Sequence, residues 1–410
     1  MFDRVARAGV HHQKIQNLLK QRTKVHNNLL FDKGRMATIE QQLCTHIYAL
    51  TDESDEGLSL KPQVRYLLDA MTFLSQPTLT SESLIAYYTS AEQASHKQAL
   101  LMLCSMLPLS LTFAEPRQYI EEMLYKTPDL AALLRLFDIN WQEEQLAAAR
   151  KAVLVGESEP DVALCDILFS AENISTADFT LGYQHENFTI AMASFIASLS
   201  TKTQQATANA ALFQRFYKTA KASEKAQWLA LAGLFGDEQW LEPCALFCQE
   251  YPDYCYEILC HYHHKTSLTV VIELMAIAQT APAAYLAWQV ITKQPLPLAA
   301  QLTDSSNKHQ VAGKHSLPCV KQAELIRQAL FKQPEDKILA GISFNDSNFN
   351  AKLSSYQGLL LQRVMLRAGV NKRGAEQTTK ALYQQQLSYR AFSQFTQDET
   401  SIKLGAERVA

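Results

Sequence analysis

The chain has little with which to turn a backbone sharply: 13 Gly and 13 Pro among 410 residues. A β-sandwich or barrel reverses direction every few residues, and this sequence lacks the turn material for that. It also lacks sustained period-two alternation of apolar and polar residues, the mark of half-buried strands. Its most apolar run, residues 99–107, is far short of the ~20 residues that cross a bilayer. The first ten residues contain no apolar stretch followed by a small-residue cleavage site, so a secretory signal is not expected. The eight cysteines have no framework spacing, which predicts reduced thiols in the cytoplasm. A net charge of −3 excludes a global attraction to nucleic acid or a membrane surface.

Catalytic signatures are missing as well. No H-E-x-x-H, G-x-S-x-G, Walker A or dinucleotide-binding glycine pattern occurs. Gly341, Gly358 and Gly369 form no phosphate-cradling loop. The carboxylates of Glu121 and Glu122, and of Glu143 and Glu144, sit side by side in sequence and read as solvated helix faces. Asp237 after Gly236 reads as a helix cap. The sharpest constellation is Cys244, Cys248, Cys255, Cys260, His261, His263 and His264. Such residues can hold zinc in a tetrahedral site, but no C-x2-C pair is present. Cys248 and Cys260 fall in apolar stripes, where cysteine behaves as a small core residue. The expectation is therefore no catalytic residue, no cofactor and no metal.

What the chain does have is helix. Ala, Leu and Gln are abundant and favour it, and prolines 62, 77, 108, 116 and 128 punctuate a series of short apolar-periodic segments. Residues 226–297 repeat themselves. Leu231 aligns with Leu259, Trp240 with Leu268, and Leu246 with Leu274, each 28 residues apart, and residues 284–291 continue the series. A first helix ending at Gly236-Asp237 and a second from Trp240 make one unit. Helix pairs repeating at such a period are the signature of an α-solenoid. The expected organisation is N-terminal helices and an acidic linker over 1–60, an irregular helical array over 61–222, and repeats over 223–300. A flexible connection over 301–318, a C-terminal helical region over 319–395 and a tail over 396–410 complete it.

Charge is unevenly spread. The first 30 residues carry Arg4, Arg7, Lys14, Lys20, Arg22 and Lys24 against Asp3 alone. Between residues 351 and 390 the cations Lys352, Arg363, Arg367, Lys372, Arg373, Lys380 and Arg390 face only Glu376. Arg363, Arg367, Lys372, Arg373 and Lys380 are candidates for contact with a protein partner, and nucleic acid is not expected because the rest of the chain is not basic. A second candidate contact surface is a face carrying Trp228, Trp240 and Trp288.

Residues 229–297 resemble HEAT-like repeats. The stretch Phe31 to Leu50, with Asp32, Arg35, Glu40, His46 and Ile47 in order, resembles the leading helix of a bacterial family of HEAT-repeat-like proteins. Members of that family are often encoded beside spike and tip proteins of type VI secretion systems. The resemblance covers about a quarter of the chain, and His261 and His264 stand where repeat glycines are the pattern. It implies an all-α chain of HEAT-like helix pairs between an N-terminal helical region and a C-terminal helical segment. It further implies a non-enzymatic adaptor, chaperone or scaffold for a protein client, a spike component or toxin effector. The competing expectation is an enzyme on a helical-repeat scaffold, of the lyase or nucleic-acid glycosylase type. Oligomeric state is not legible.

Overall fold

In this computed structural model the described residues are 2–53, 60–113, 116–137, 139–156, 160–169, 176–198, 220–235, 238–298, 317–332, 337–344 and 349–367. They are 73% helical, in 19 helices with a few two-residue strands, so the fold is all-α as expected. The chain divides into two compact units, residues 1–201 with 365–410, and residues 202–364.

The first unit opens with a hairpin of α1 (Phe2–His26) and α2 (Lys33–Glu53). Apolar residues three and four apart define the buried stripe of each helix: Ile15, Leu18 and Leu19 on one, Met36, Ile39, Leu43, Ile47 and Leu50 on the other. Then come α3 (Pro62–Leu74), α4 (Ser81–Ser90), α5 (Ala94–Met106), α6 (Pro116–Tyr125) and α7 (Leu130–Leu134), followed by α8 (Glu143–Val155), α9 (Val162–Leu168), α10 (Thr176–Gln184) and α11 (Phe188–Ser198). Prolines begin α3 and α6, where a missing N–H costs nothing. A capping box of Thr80 and Ser83 starts α4, and the Asp161 carboxylate accepts the Ala163 N–H at 2.7 Å to start α9.

Helices two apart in sequence pack together along much of this unit. α3 lies on α5; α6 on α8 and α8 on α10; α7 on α9 and α9 on α11. The close approach of α10 to α11 depends on Gly182, where an added Cβ would meet Ser194 Oγ at 2.2 Å. The array expected to be irregular over 61–222 therefore contains two rows of stacked helices.

The second unit shows the same habit more fully. Its helices are α12 (Ala222–Phe235), α13 (Leu241–Glu250), α14 (Cys255–Leu259), α15 (Leu268–Met275), α16 (Ala281–Thr292), α17 (Val320–Phe331) and α18 (Phe349–Leu353), and α19 (Leu359–Arg367) begins in it. α12 packs on α14 and α14 on α16; α13 packs on α15 and α15 on α17. The 28-residue register holds at Leu231, Leu259 and Ala287, and at Trp240 and Leu268, all buried. It breaks at one expected pair: Leu274 is buried while Leu246 is 59% exposed. α13 turns Cys244, Phe247 and Cys248 inward, and one residue away on a helix is ~100° away in direction, so Leu246 faces out. At Gly233 of α12 an added Cβ would lie 2.3 Å from the Tyr262 ring, so only glycine admits that ring.

Residues 319–364 belong to this unit and pack with the repeats. α17 lies on α15, Lys265 Nζ donates to the Leu330 carbonyl at 2.6 Å, and Arg327 Nη1 donates to Thr269 Oγ1 at 3.2 Å. A two-strand hairpin pairs Ile338–Leu339 with Ile342–Ser343, and its turn residues Ala340 and Gly341 have φ of 53° and 73°. Their N–H groups donate to the carbonyls of Val290 and Ile291 at 3.0 and 2.9 Å, where α16 ends in left-handed Lys293. Within the C-terminal helical region, α18 and α19 are distinct helices, with Gly358 at φ 126° just before α19. The Gly236-Asp237 turn, residues 199–219 of the array, residues 368–395 of the C-terminal region, the tail, and all of the 301–318 connection except its last two residues lie outside the described residues.

Candidate functional site

The cysteine and histidine constellation falls in the interior of the second unit. Cys244, Cys248, Cys255, Cys260 and His261 are each fully buried, and His263 nearly so. α13 presents Cys244 and Cys248 one turn apart, and Cys255 opens α14 opposite them. A hydrogen bond with Cys244 pushes the Cys248 thiol up, one with Cys255 opposes it, and burial adds to the rise. A hydrogen bond with Cys248, and then burial, push Cys255 up, and burial does the same to Cys260. The thiolate is the form that attacks electrophiles and binds metals; this environment holds the neutral thiol. Among the described residues no group of three or more His, Cys, Asp or Glu side chains is arranged to hold a metal ion.

His261 has a defined tautomer. Arg363 Nη1 stands 2.9 Å from its Nε2, and the Glu257 carbonyl stands 2.7 Å from its Nδ1. Arginine has only donors, so Nε2 accepts from Arg363 and Nδ1–H donates to the carbonyl. Burial, and then the Arg363 charge, hold the His261 pKa well below its ordinary value. The imidazole is thus a neutral bridge between α14 and α19.

This geometry corrects the expected contact surfaces. Arg363 is 5% exposed and spends its guanidinium on His261, so it is an interior residue and not part of a basic face. The three tryptophans form no exposed face either. Trp228 and Trp240 are buried, and Trp288 is fully buried with Nε1 donating to the Gln294 carbonyl at 2.9 Å. Charge counting and aromatic content signal a surface only where burial is known, and these four positions face the chain's own core. Arg367 is on α19 with its side chain outside the described set, and Lys372, Arg373 and Lys380 lie outside the described residues.

A second polar cluster ties the α1–α2 hairpin together, and it uses the residues that carry the family resemblance. Just before α2, Asp32 Oδ1 accepts the Arg35 N–H at 2.6 Å. Glu40, 2% exposed, accepts from Arg22 Nε on α1 at 2.7 Å. His46 Nδ1 stands 2.9 Å from His11 Nδ1, a pair in which one ring donates and the other accepts. Burial raises Glu40 to about 7, with Arg22 opposing the rise. Burial, and then the neighbouring His11 and Lys14, lower His46. Burial and the Glu40 charge push Cys44, one turn along α2, up to about 12. A carboxyl near 7 is matched to proton transfer at neutral pH, yet this one is sealed from solvent and committed to an arginine.

A third cluster was not singled out in sequence. Phe73 and Tyr87 stack with ring centroids 4.0 Å apart, Tyr87 meets His96 edge-on at 5.3 Å, and His96 stacks on Tyr66 at 5.4 Å. Tyr87 Oη lies 2.8 Å from His96 Nε2. The ladder joins α3, α4 and α5 through half-buried rings. The seven-residue spacing of Tyr66 and Phe73, which puts both on one face of α3, is the signal that could have found it.

No described helix is long and apolar enough to cross a membrane. Comparison with protein-family models, with curated proteins and with solved structures gives no significant match.

Proposed function

We propose that this chain is a non-enzymatic adaptor, chaperone or scaffold that binds a protein client in the cytoplasm. The observation that carries the reading is the stacking of helices two apart in both units. Stacked pairs set like helix faces side by side, the arrangement by which HEAT-like solenoids build extended binding surfaces. The resemblance of residues 31–50 directs the client to a type VI secretion spike component or the effector loaded on one. The direct test is titration of the purified chain with a purified type VI secretion spike component, and separately with an effector carried on one. Saturable binding is expected, and no binding of either spike or effector contradicts the proposal.

A further inference from the structure

Two stretches of this chain are opposite in charge and free of the other sign. Residues 4–31 hold six Lys and Arg and no Asp or Glu. Residues 226–264 hold Asp237, Glu238, Glu242, Glu250, Asp253 and Glu257 and no Lys or Arg. Part of each charge lies on one exposed helix face. On α1, Val10, Lys14, Asn17, Gln21 and Lys24 recur at three- and four-residue steps, and all are exposed. On α13 and the turn after it, Glu242, Leu246, Gln249, Glu250 and Asp253 do the same.

We propose that the acidic stripe of α13 is a docking surface for a basic helix, and that its occupant is α1 of a second copy of this chain. Three features fit the two stripes to each other. Lys14 and Lys24 are ten residues apart and Glu242 and Glu250 eight, about 15 and 12 Å along a helix. Each stripe carries one exposed aliphatic side chain, Val10 at 56% and Leu246 at 59%. No ion pair among the described residues engages Lys14, Lys20, Lys24, Glu242, Glu250 or Asp253. A lipid surface suits α1 less well, since its exposed stripe offers one valine and no large apolar side chain.

The contact joins two different surfaces of separate copies, so association rises with concentration. Exposed ion pairs are individually weak and salt-screened, so the assembly is a low-salt one. This proposal is independent of the client reading. A chain that stays monomeric but binds a spike component overturns only this one, and a chain that self-associates but binds no spike or effector overturns only the other.

The test is sedimentation of the full chain over a concentration series at ~0.02 M and ~0.5 M salt, either side of strong screening. Wild type is expected to associate at low salt and dissociate at high salt. Lys14→Glu with Lys24→Glu, and separately Glu242→Lys with Glu250→Lys, should each be monomeric while keeping the wild-type helical spectrum. An equimolar mixture of the two variants should associate, because each then meets the opposite charge on the other. Should either reversal perturb folding, Lys14→Gln with Lys24→Gln and Glu242→Gln with Glu250→Gln replace them and should weaken association at least several-fold. A wild type monomeric at every concentration and salt, association that the substitutions leave unchanged, or a mixture that stays monomeric would each overturn the proposal.

Discussion

The polar interior of residues 202–364 and the polar seam of the α1–α2 hairpin solve one problem in two ways. In the former, burial and mutual hydrogen bonding keep Cys248, Cys255, Cys260 and His261 neutral, and one arginine, Arg363, donates into the cluster. In the latter, a carboxyl meets an arginine and two imidazoles meet each other, and burial raises the Glu40 carboxyl to about 7 against the opposing arginine. A cysteine and histidine cluster that looks chemical in sequence is buried as neutral groups, while residues singled out in sequence only for a family resemblance form the ion pair and imidazole pair of the hairpin. Residue type alone does not separate the two; burial and the identity of the nearest donor do.

The largest expected effect is in the sealed interior. Trp288→Ala should cost ~3–5 kcal/mol in urea unfolding, as deletion of a fully buried aromatic does. A cost below ~0.5 kcal/mol, the range of exposed substitutions, would mean that Trp288 faces solvent and would restore it as a partner contact. The register break in the repeats gives an internal contrast of similar size. Leu274→Ala should cost ~2–5 kcal/mol and Leu246→Ala no more than ~0.5 kcal/mol, although the sequence aligns the two. Equal costs would remove the described rotation of α13.

The hairpin should show its difference through pH. A carboxyl raised in the folded state favours folding below its unfolded value near 4.5, and that contribution disappears as pH climbs to about 7. For a group this buried the swing is on the order of 3 kcal/mol. The stability of wild type relative to Glu40→Gln should therefore fall between pH 5 and pH 8. His46 and His261, both lowered, act oppositely and lose stability as pH falls below 6.5. A constant difference between wild type and Glu40→Gln across the range would show that Glu40 does not titrate there. Smaller still, Cys248→Ser and Cys260→Ser should each cost ~1–3 kcal/mol by burying a hydroxyl among apolar groups.

How much of this was legible in the sequence also divides along the chain. Buried positions of the second unit were visible because apolar spacing recurs at a fixed interval from Leu231 to Leu259. Rows in the first unit were not, because α7 and α8 differ in length, five residues against 13, and no residue pattern recurs. Their packing is a tertiary fact, set by which helices approach one another and not by a spacing along the chain. The break at Gly358 escaped notice because the apolar period continues on both sides of it. Arg363 was misplaced because its partner, His261, is 102 residues away, and no local count of charge can see that far. The Asp32, Arg35, Glu40 and His46 pattern was visible; that it forms a cap, an ion pair and an imidazole pair was not.

The central claim is that the buried cysteines and histidines of this chain pack its core and that its function lies on its surfaces. Native-state thiol titration with elemental analysis on the same sample tests it most directly. Seven of the eight cysteines are buried and Cys319 is partly exposed. The account predicts one promptly reactive thiol, seven that react only as the protein opens, and no stoichiometric zinc. Zinc at one per chain, or prompt modification of Cys244, Cys248 or Cys255, would contradict it.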